Sequence, residues 1–159
     1  MSAHPSTDLF GRRLAFAMPE RIPQCQSMDD AALIDANAAY YRAFAARDLG
    51  AMNDLWAEEG CSCVHPGWPA IVGRAQVLAS YRDIFRNPQQ QAVTARDPQT
   101  LIEGADGRVF CVEEVGGGLL LATNWFRWSG ERWRLVHHQA SPLVVGALQP
   151  AQGPKPSFH

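Results

Sequence analysis

The sequence predicts an α+β domain in which three helices precede an antiparallel sheet. Three observations predict it. Apolar residues recur at helical spacing through the first half of the chain, the second half reads as four extended segments, and short Gly-containing turns separate those segments. The 159 residues suit one domain with a sizeable core.

The first helix is expected to start near Asp29 or Asp30, where acidic side chains favour the positive end of the helix dipole. Leu33, Asn37, Tyr40, Tyr41 and Phe44 then fall on one face, with the two tyrosines straddling its edge. Asp48 is the expected N-cap of a short second helix whose stripe is Leu49, Met52, Leu55 and Trp56, and Gly60 lies just beyond its end. CSCVHP reads as a strand. Pro66, Gly67 and Pro69 enforce a turn, and Gly73 precedes a third helix carrying Val77, Leu78, Tyr81, Ile84 and Phe85, closed by Asn87 and Pro88. Extended segments follow at roughly 91–102, 108–115, 119–128 and 132–141, with ADG, GGG and SGE as hairpin turns between them.

Residues 1–27, with three prolines and two adjacent arginines, and residues 146–159, again with three prolines, stand apart as an N-terminal arm and a C-terminal tail around a domain spanning 28–145. The net charge of −2 and the lack of any long Lys/Arg run argue against nucleic acid and anionic membrane as partners. No apolar run approaches the roughly 20 residues that span a bilayer, and LAFAM is too short for an export signal. Cys25, Cys61, Cys63 and Cys111 show no framework spacing, so they are expected to be reduced thiols in a cytoplasmic protein.

Over residues 29–142 the order of elements, together with YRAFAARDLGAMNDLWAEE followed by VHPG, Gly73 before the third helix, and the closing WSGERWRLVHHQASP, resembles the SnoaL-like branch of the nuclear transport factor 2-like superfamily. The resemblance implies a cone-shaped roll in which a strongly curved antiparallel sheet wraps the long first helix and leaves a cavity open at one end as the small-molecule pocket, with a homodimer through the outer sheet face. Ketosteroid-isomerase-like relatives carry a Tyr donor and an acidic general base on the first helix and first strand. Transferred here, those positions are Tyr41 and His65, a histidine standing where the relatives have an acid. Such a pair would remove an acidic C–H proton while the phenol stabilises the oxygen anion that develops.

Trp68, Tyr40 and Tyr81 are the expected aromatic lining, and Asn124, on a strand otherwise full of large apolar residues, is either a ligand-orienting amide or a structural hydrogen bond. Strict alternation in the last strand groups Trp133, Leu135, His137, Gln139 and Ser141 on one face and Arg134, Val136, His138 and Ala140 on the other. SnoaL-like relatives often show a His-x-His-x-Ser text here, which His137 and Ser141 match and in which Gln139 replaces the second histidine; the resemblance thus makes His137 and Gln139 ligand-binding candidates, with His137 and Asn124 as the back wall of the pocket. Glu113 and Glu114 point to opposite sides of their strand, so only one of them can reach the cavity.

Cys61, Cys63 and His65 share a strand face, but neighbours two apart are roughly 6.6 Å from each other, which strains shared coordination of one zinc, so packed cysteines and no metal are expected. GGG at 116–118 leads from strand to strand rather than into a helix, and no serine sits in a nucleophile elbow. The expectation is therefore a cofactor-free pocket for an apolar, carbonyl-containing small molecule, with isomerase, cyclase or hydratase chemistry. The competing expectation is a non-catalytic dimerisation or association module of the same fold.

Overall fold

In a computed structural model of the protein, residues 28–143 are described, so the expected arm at 1–27 and the expected tail at 146–159 lie outside the described residues. Helix α1, Asp30–Ala45, begins where the Asp29 carboxylate accepts from the Ala32 amide at 2.8 Å. It ends where Arg47 enters the left-handed region, and the Arg47 guanidinium then donates to the carbonyls of Phe85 and Gln90. Helix α2, Leu49–Leu55, is capped by Asp48, which accepts from Ala51 N at 2.9 Å. Helix α3, Arg74–Arg86, starts after Gly73, whose φ of +98° only glycine adopts cheaply.

The strands are β1 Ser62–Val64, β2 Ile71–Val72, β3 Val93–Glu103, β4 Asp106–Val115, β5 Gly118–Trp128 and β6 Trp133–Pro142. They form one sheet in the order β2-β1-β6-β5-β4-β3. The α+β class and the four-strand meander are as the sequence predicts, but the sheet is mixed, because β1 runs parallel to β6. The two are joined by a long connection through α3 and the meander, so no tight hairpin dictates their direction. The Pro/Gly turn also folds a short β2 back onto β1, where the sequence predicts only a turn. Gly116 and Gly117, with φ of +56° and +81°, close the β4–β5 hairpin as a two-residue primed turn requires.

Two register shifts bend the sheet. One lies between Arg96 and Gln99 on β3, where Asp97 has φ of +55°; the other leaves Val136 of β6 as an extra residue between the pairs Trp125–His137 and Phe126–Leu135. The concave side so formed packs on α1, which meets β3, β4 and β6. Leu33, Met52, Trp56, Val77, Tyr81, Phe126 and Leu135 fill the core. Gly107 lets α1 approach the sheet, since a Cβ there would lie 2.9 Å from Leu33 and 3.0 Å from Trp133. The convex side carries Phe110, Val112, Leu121 and Trp125, with the Arg108 guanidinium 4.7 Å from the Trp125 ring centre.

Candidate functional site

Between α1, α3 and the concave face of the sheet lies a cavity of about 560 Å³. Its apolar wall comes from Phe44 of α1, Ile84 of α3, Val93 of β3 and Leu120 of β5. Its floor is polar: Tyr40, Tyr41, His65, Glu113 and His138. Trp68 stands at the mouth, 47% exposed, its amide bonded to the His65 carbonyl at 2.9 Å and its ring centre 5.2 Å from the His65 ring. Gly67, with φ of +80°, makes that turn.

A continuous hydrogen-bonded chain crosses the floor. Tyr41 Oη donates to Glu113 Oε1 at 2.7 Å and lies 3.2 Å from Cys111 Sγ. Asn124 Nδ2 donates to Tyr41 Oη at 3.1 Å and to Asn37 Oδ1 at 2.7 Å, and Asn124 Oδ1 is 2.6 Å from His138 Nδ1. All of these groups are buried, so each contact replaces water that the group has lost. Beside the chain, His65 Nε2 meets Ser80 Oγ at 2.9 Å.

Burial shifts every ionisable group here toward its neutral form. The Glu113 carboxyl is raised by desolvation, opposed by the Tyr41 hydrogen bond. Desolvation lowers His65 to about 4 and, aided by the neighbouring His65 and His137, lowers His138 to about 3. The Tyr41 phenol is pushed far up by burial and by the adjacent Glu113, and burial takes the Cys63 thiol up to about 12. At neutral pH the floor therefore holds two uncharged imidazoles and undissociated phenols and thiols, beside a carboxyl whose ionised form burial disfavours.

Four of the residues singled out in the sequence, Tyr40, Tyr41, His65 and Trp68, line the cavity. Tyr81 and Asn124 lie one layer behind it: Tyr81 is fully buried with its hydroxyl 3.0 Å from that of Tyr40, and Asn124 holds Tyr41 and His138. His137 and Gln139 do not reach the cavity. His137 bonds Ser62 Oγ at 2.8 Å on the convex side, and Gln139 is exposed. The physical reason is the bulge at Val136. Trp133 and Leu135 face inward as strict alternation requires, but the extra residue reverses the phase, so His138 and Ala140 face inward after it.

Glu113 and His138 are the two floor residues that sequence reasoning did not place. Strand parity limits the inward carboxylate to Glu113 or Glu114, but Phe110 and Val112 make the outward face of β4 as apolar as the inward one, so parity alone does not choose. The Tyr41 donor expected to face a substrate oxygen is instead bonded to Glu113. Among the described residues no cluster of three His, Cys, Asp or Glu side chains could hold a metal ion. Cys61, Cys63 and Cys111 are free and buried, while Cys25 lies outside the described residues. No described helix is long and apolar enough to cross a membrane.

Several proteins of known structure resemble this chain in sequence and fold. A structure of an NTF2-like family protein from Streptomyces avermitilis, for which dehydratase activity has been suggested, is 31% identical, with a TM-score of 0.66 over 72% of this chain and 96% of that one. A suggested calcium/calmodulin-dependent protein kinase type II association domain from Thiobacillus denitrificans is also 31% identical, with a TM-score of 0.63 over 69% of this chain and 93% of that one. An NTF2-like protein of unknown function from Pseudomonas putida shares the fold at 14% identity and a TM-score of 0.63, over 79% of this chain and 95% of that one. The F-box protein SKIP8 of Arabidopsis thaliana is 29% identical over 122 residues, which are 74% of this chain and 52% of that protein, so the match spans about half of the relative's length. The SnoaL-like domain model matches residues 33–145, and the chain belongs to the SnoaL-like domain family, within the NTF2-like fold.

Proposed function

We propose that this domain binds a small, largely apolar carbonyl compound in the cavity and catalyses cofactor-independent proton transfer on it, as a lyase of the hydratase or dehydratase type or as an isomerase. The observation that carries this reading is the Tyr41–Glu113 contact of 2.7 Å on the floor of an apolar cavity. A carboxyl raised by burial is, once ionised, a stronger base than an ordinary one, and the Tyr41 hydrogen bond favours its ionised form. Glu113 is therefore the group that takes a proton from the carbon beside the substrate carbonyl. It returns the proton to another carbon in an isomerisation, or to a departing hydroxyl, released as water, in a dehydration.

Tyr41 then acts through Glu113 by stabilising its ionised form, and His65 is a neutral hydrogen-bonding wall rather than the base, since about 4 is too low for efficient proton abstraction. The suggested dehydratase activity of the Streptomyces avermitilis relative supports the lyase arm of the proposal. The test is a thermal-shift panel of ketones, enones and β-hydroxyketones, with conjugated enone formation followed by absorbance. The expected result is a raised melting temperature for members of the panel and turnover reduced by about 10²–10⁴-fold in Glu113→Gln. Full turnover in that variant removes Glu113 from the mechanism, and a panel with neither binding nor turnover removes the proposal.

A second reading, an association module working as a homodimer, has its own support. Phe110, Val112, Leu121 and Trp125 form a contiguous half-exposed patch on the convex face, and one relative at 31% identity is a suggested association domain. Light scattering at micromolar concentration tests it. A dimer broken by Leu121→Asp supports the reading, and a monomer opposes it.

A further inference from the structure

On the flank of the roll, between α1 and β3, lies a second groove of about 360 Å³. Ile34 and Ala38 of α1 form one wall, and Val93, Ala95 and Pro98 of β3 form the other. The polar groups on its floor are already engaged. Asn37 Oδ1 accepts from Asn124, the Tyr41 proton goes to Glu113, and Cys111 Sγ is 3.2 Å from Tyr41 Oη. At the rim Arg42 is exposed and Arg96 is paired with Asp97 at 2.6 Å. The groove therefore favours apolar side chains over a polar small molecule.

One lip of the groove is also an open ladder. β3 is an edge strand, and its residues 93–96 pair with residues 115–112 of β4 on one side only. An extended segment laid along the other side meets free backbone groups and lowers every second side chain into the groove. The register shift after Arg96 and the ring of Pro98, which has no N–H, end the ladder, so the segment that fits is about five residues long.

The chain carries such a segment. In LAFAM, residues 14–18, Leu14, Phe16 and Met18 alternate with Ala15 and Ala17, so an extended conformation gathers the three large side chains on one face. Thr100 Oγ1 donates to Asp30 Oδ1 at 2.6 Å, which holds the start of α1 against β3 one turn before Ile34 and two residues beyond Pro98. The chain ahead of Met28 therefore meets the fold at one end of the groove. Residues 19–27 span up to roughly 30 Å when extended, whereas Thr100 is only roughly 13 Å along the strand from Arg96. The tether reaches, and it raises the local concentration of LAFAM to the order of millimolar, ahead of a free peptide or a second copy.

We infer that residues 14–18 dock in this groove of their own chain, with Leu14, Phe16 and Met18 turned inward. Because α1 runs back along β3, the segment that returns from the start of α1 adds a short strand parallel to β3. Tyr41 and Val93 line both the groove and the main cavity, so the docked segment closes the flank of that cavity behind the Tyr41–Glu113 pair. This role does not depend on which compound the cavity takes.

The test uses the full chain with Phe16→p-benzoylphenylalanine, a photoreactive side chain of the same type, in a mixture of nitrogen-14 and nitrogen-15 protein. Cross-links are mapped by mass spectrometry. Links within one molecule to residues 34–45 of α1 or 93–98 of β3 are expected. Links between molecules, links to another surface, or no link at all overturn the inference. Amide hydrogen exchange gives a second readout with the native side chain in place. Amides within residues 93–96 that point away from β4 should exchange slowly in the parent, about tenfold or more faster in Phe16→Asp, and slowly again in Phe16→Leu. Fast exchange in the parent, or equal exchange in parent and Phe16→Asp, overturns the inference.

Discussion

Tyr41→Phe tests the coupling between the phenol and the buried carboxyl. The variant keeps the ring and removes an oxygen that donates to Glu113 at 2.7 Å and accepts from Asn124 at 3.1 Å. A hydrogen bond to an ionised group contributes about 1.5–3 kcal/mol and one between neutral groups about 1 kcal/mol. Asn124 keeps Asn37 as a partner, so its loss is the smaller part. The expected destabilisation is about 2–4 kcal/mol where Glu113 is ionised and about 1–2 kcal/mol where it is protonated.

The sign follows from linkage. The folded carboxyl is raised above its ordinary 4.5, so its contribution to stability is full below the unfolded value and is lost as pH rises through the folded one. The Tyr41 hydrogen bond opposes that rise, so removing it moves the folded value higher and deepens the loss on the alkaline side. Urea unfolding of both proteins from about pH 4.5 to 8 measures the difference, in which contributions common to both cancel. A pH-independent difference would refute the coupling, since a merely packed Tyr41 costs the same at every pH.

Three further outcomes follow from the same geometry. Glu113→Gln retains an acceptor for Tyr41 and removes the buried charge, so it should be as stable as the parent or about 1 kcal/mol more stable at neutral pH, with a flatter stability–pH curve in urea unfolding. His65 and His138 are lowered to about 4 and about 3, so the unfolded chain binds protons first; stability should fall as pH drops below about 6.5, and neither imidazole should titrate by NMR in the folded protein above about pH 5. Gly73→Ala places a Cβ 2.7 Å from Gln76 Oε1 at φ of +98°, and should cost about 1–3 kcal/mol in chemical denaturation; a loss below about 0.5 kcal/mol would mean that the α3 cap relaxes freely.

Much of the fold was legible because its signals are local. Asp29 and Asp48 cap α1 and α2 as short acidic side chains before a periodic stripe should, and Gly73 and Asn87 bracket α3. The β4–β5 turn was legible for the same reason, since Gly116 and Gly117 supply the positive φ that a primed turn needs, whereas the β3–β4 turn falls at Gly104 and Ala105 rather than at ADG, whose Asp106 and Gly107 pair within the ladder of β4. The parallel β1–β6 pairing was not, because it joins Ser62 to His137 across most of the domain and no local residue encodes its direction.

The site divides along the same line. Tyr41 and His65 reach the cavity from elements whose facing is set by helical period or by a strand with one buried side. His138 reaches it because one extra residue, Val136, reverses the phase of β6, and the sequence WRLVHHQASP alternates too smoothly to reveal the bulge. What fixes the reversal is long-range: Trp133 and Leu135 must stay buried with Phe126 at one end of β6, while Asn124 binds the His138 imidazole nearer the other. Without the bulge His137 would face Asn124, and Ser62 would lose the partner it now holds at 2.8 Å. Each histidine therefore has one satisfied hydrogen bond only in the bulged register, so the polar floor of the cavity helps to stabilise the bend that creates it.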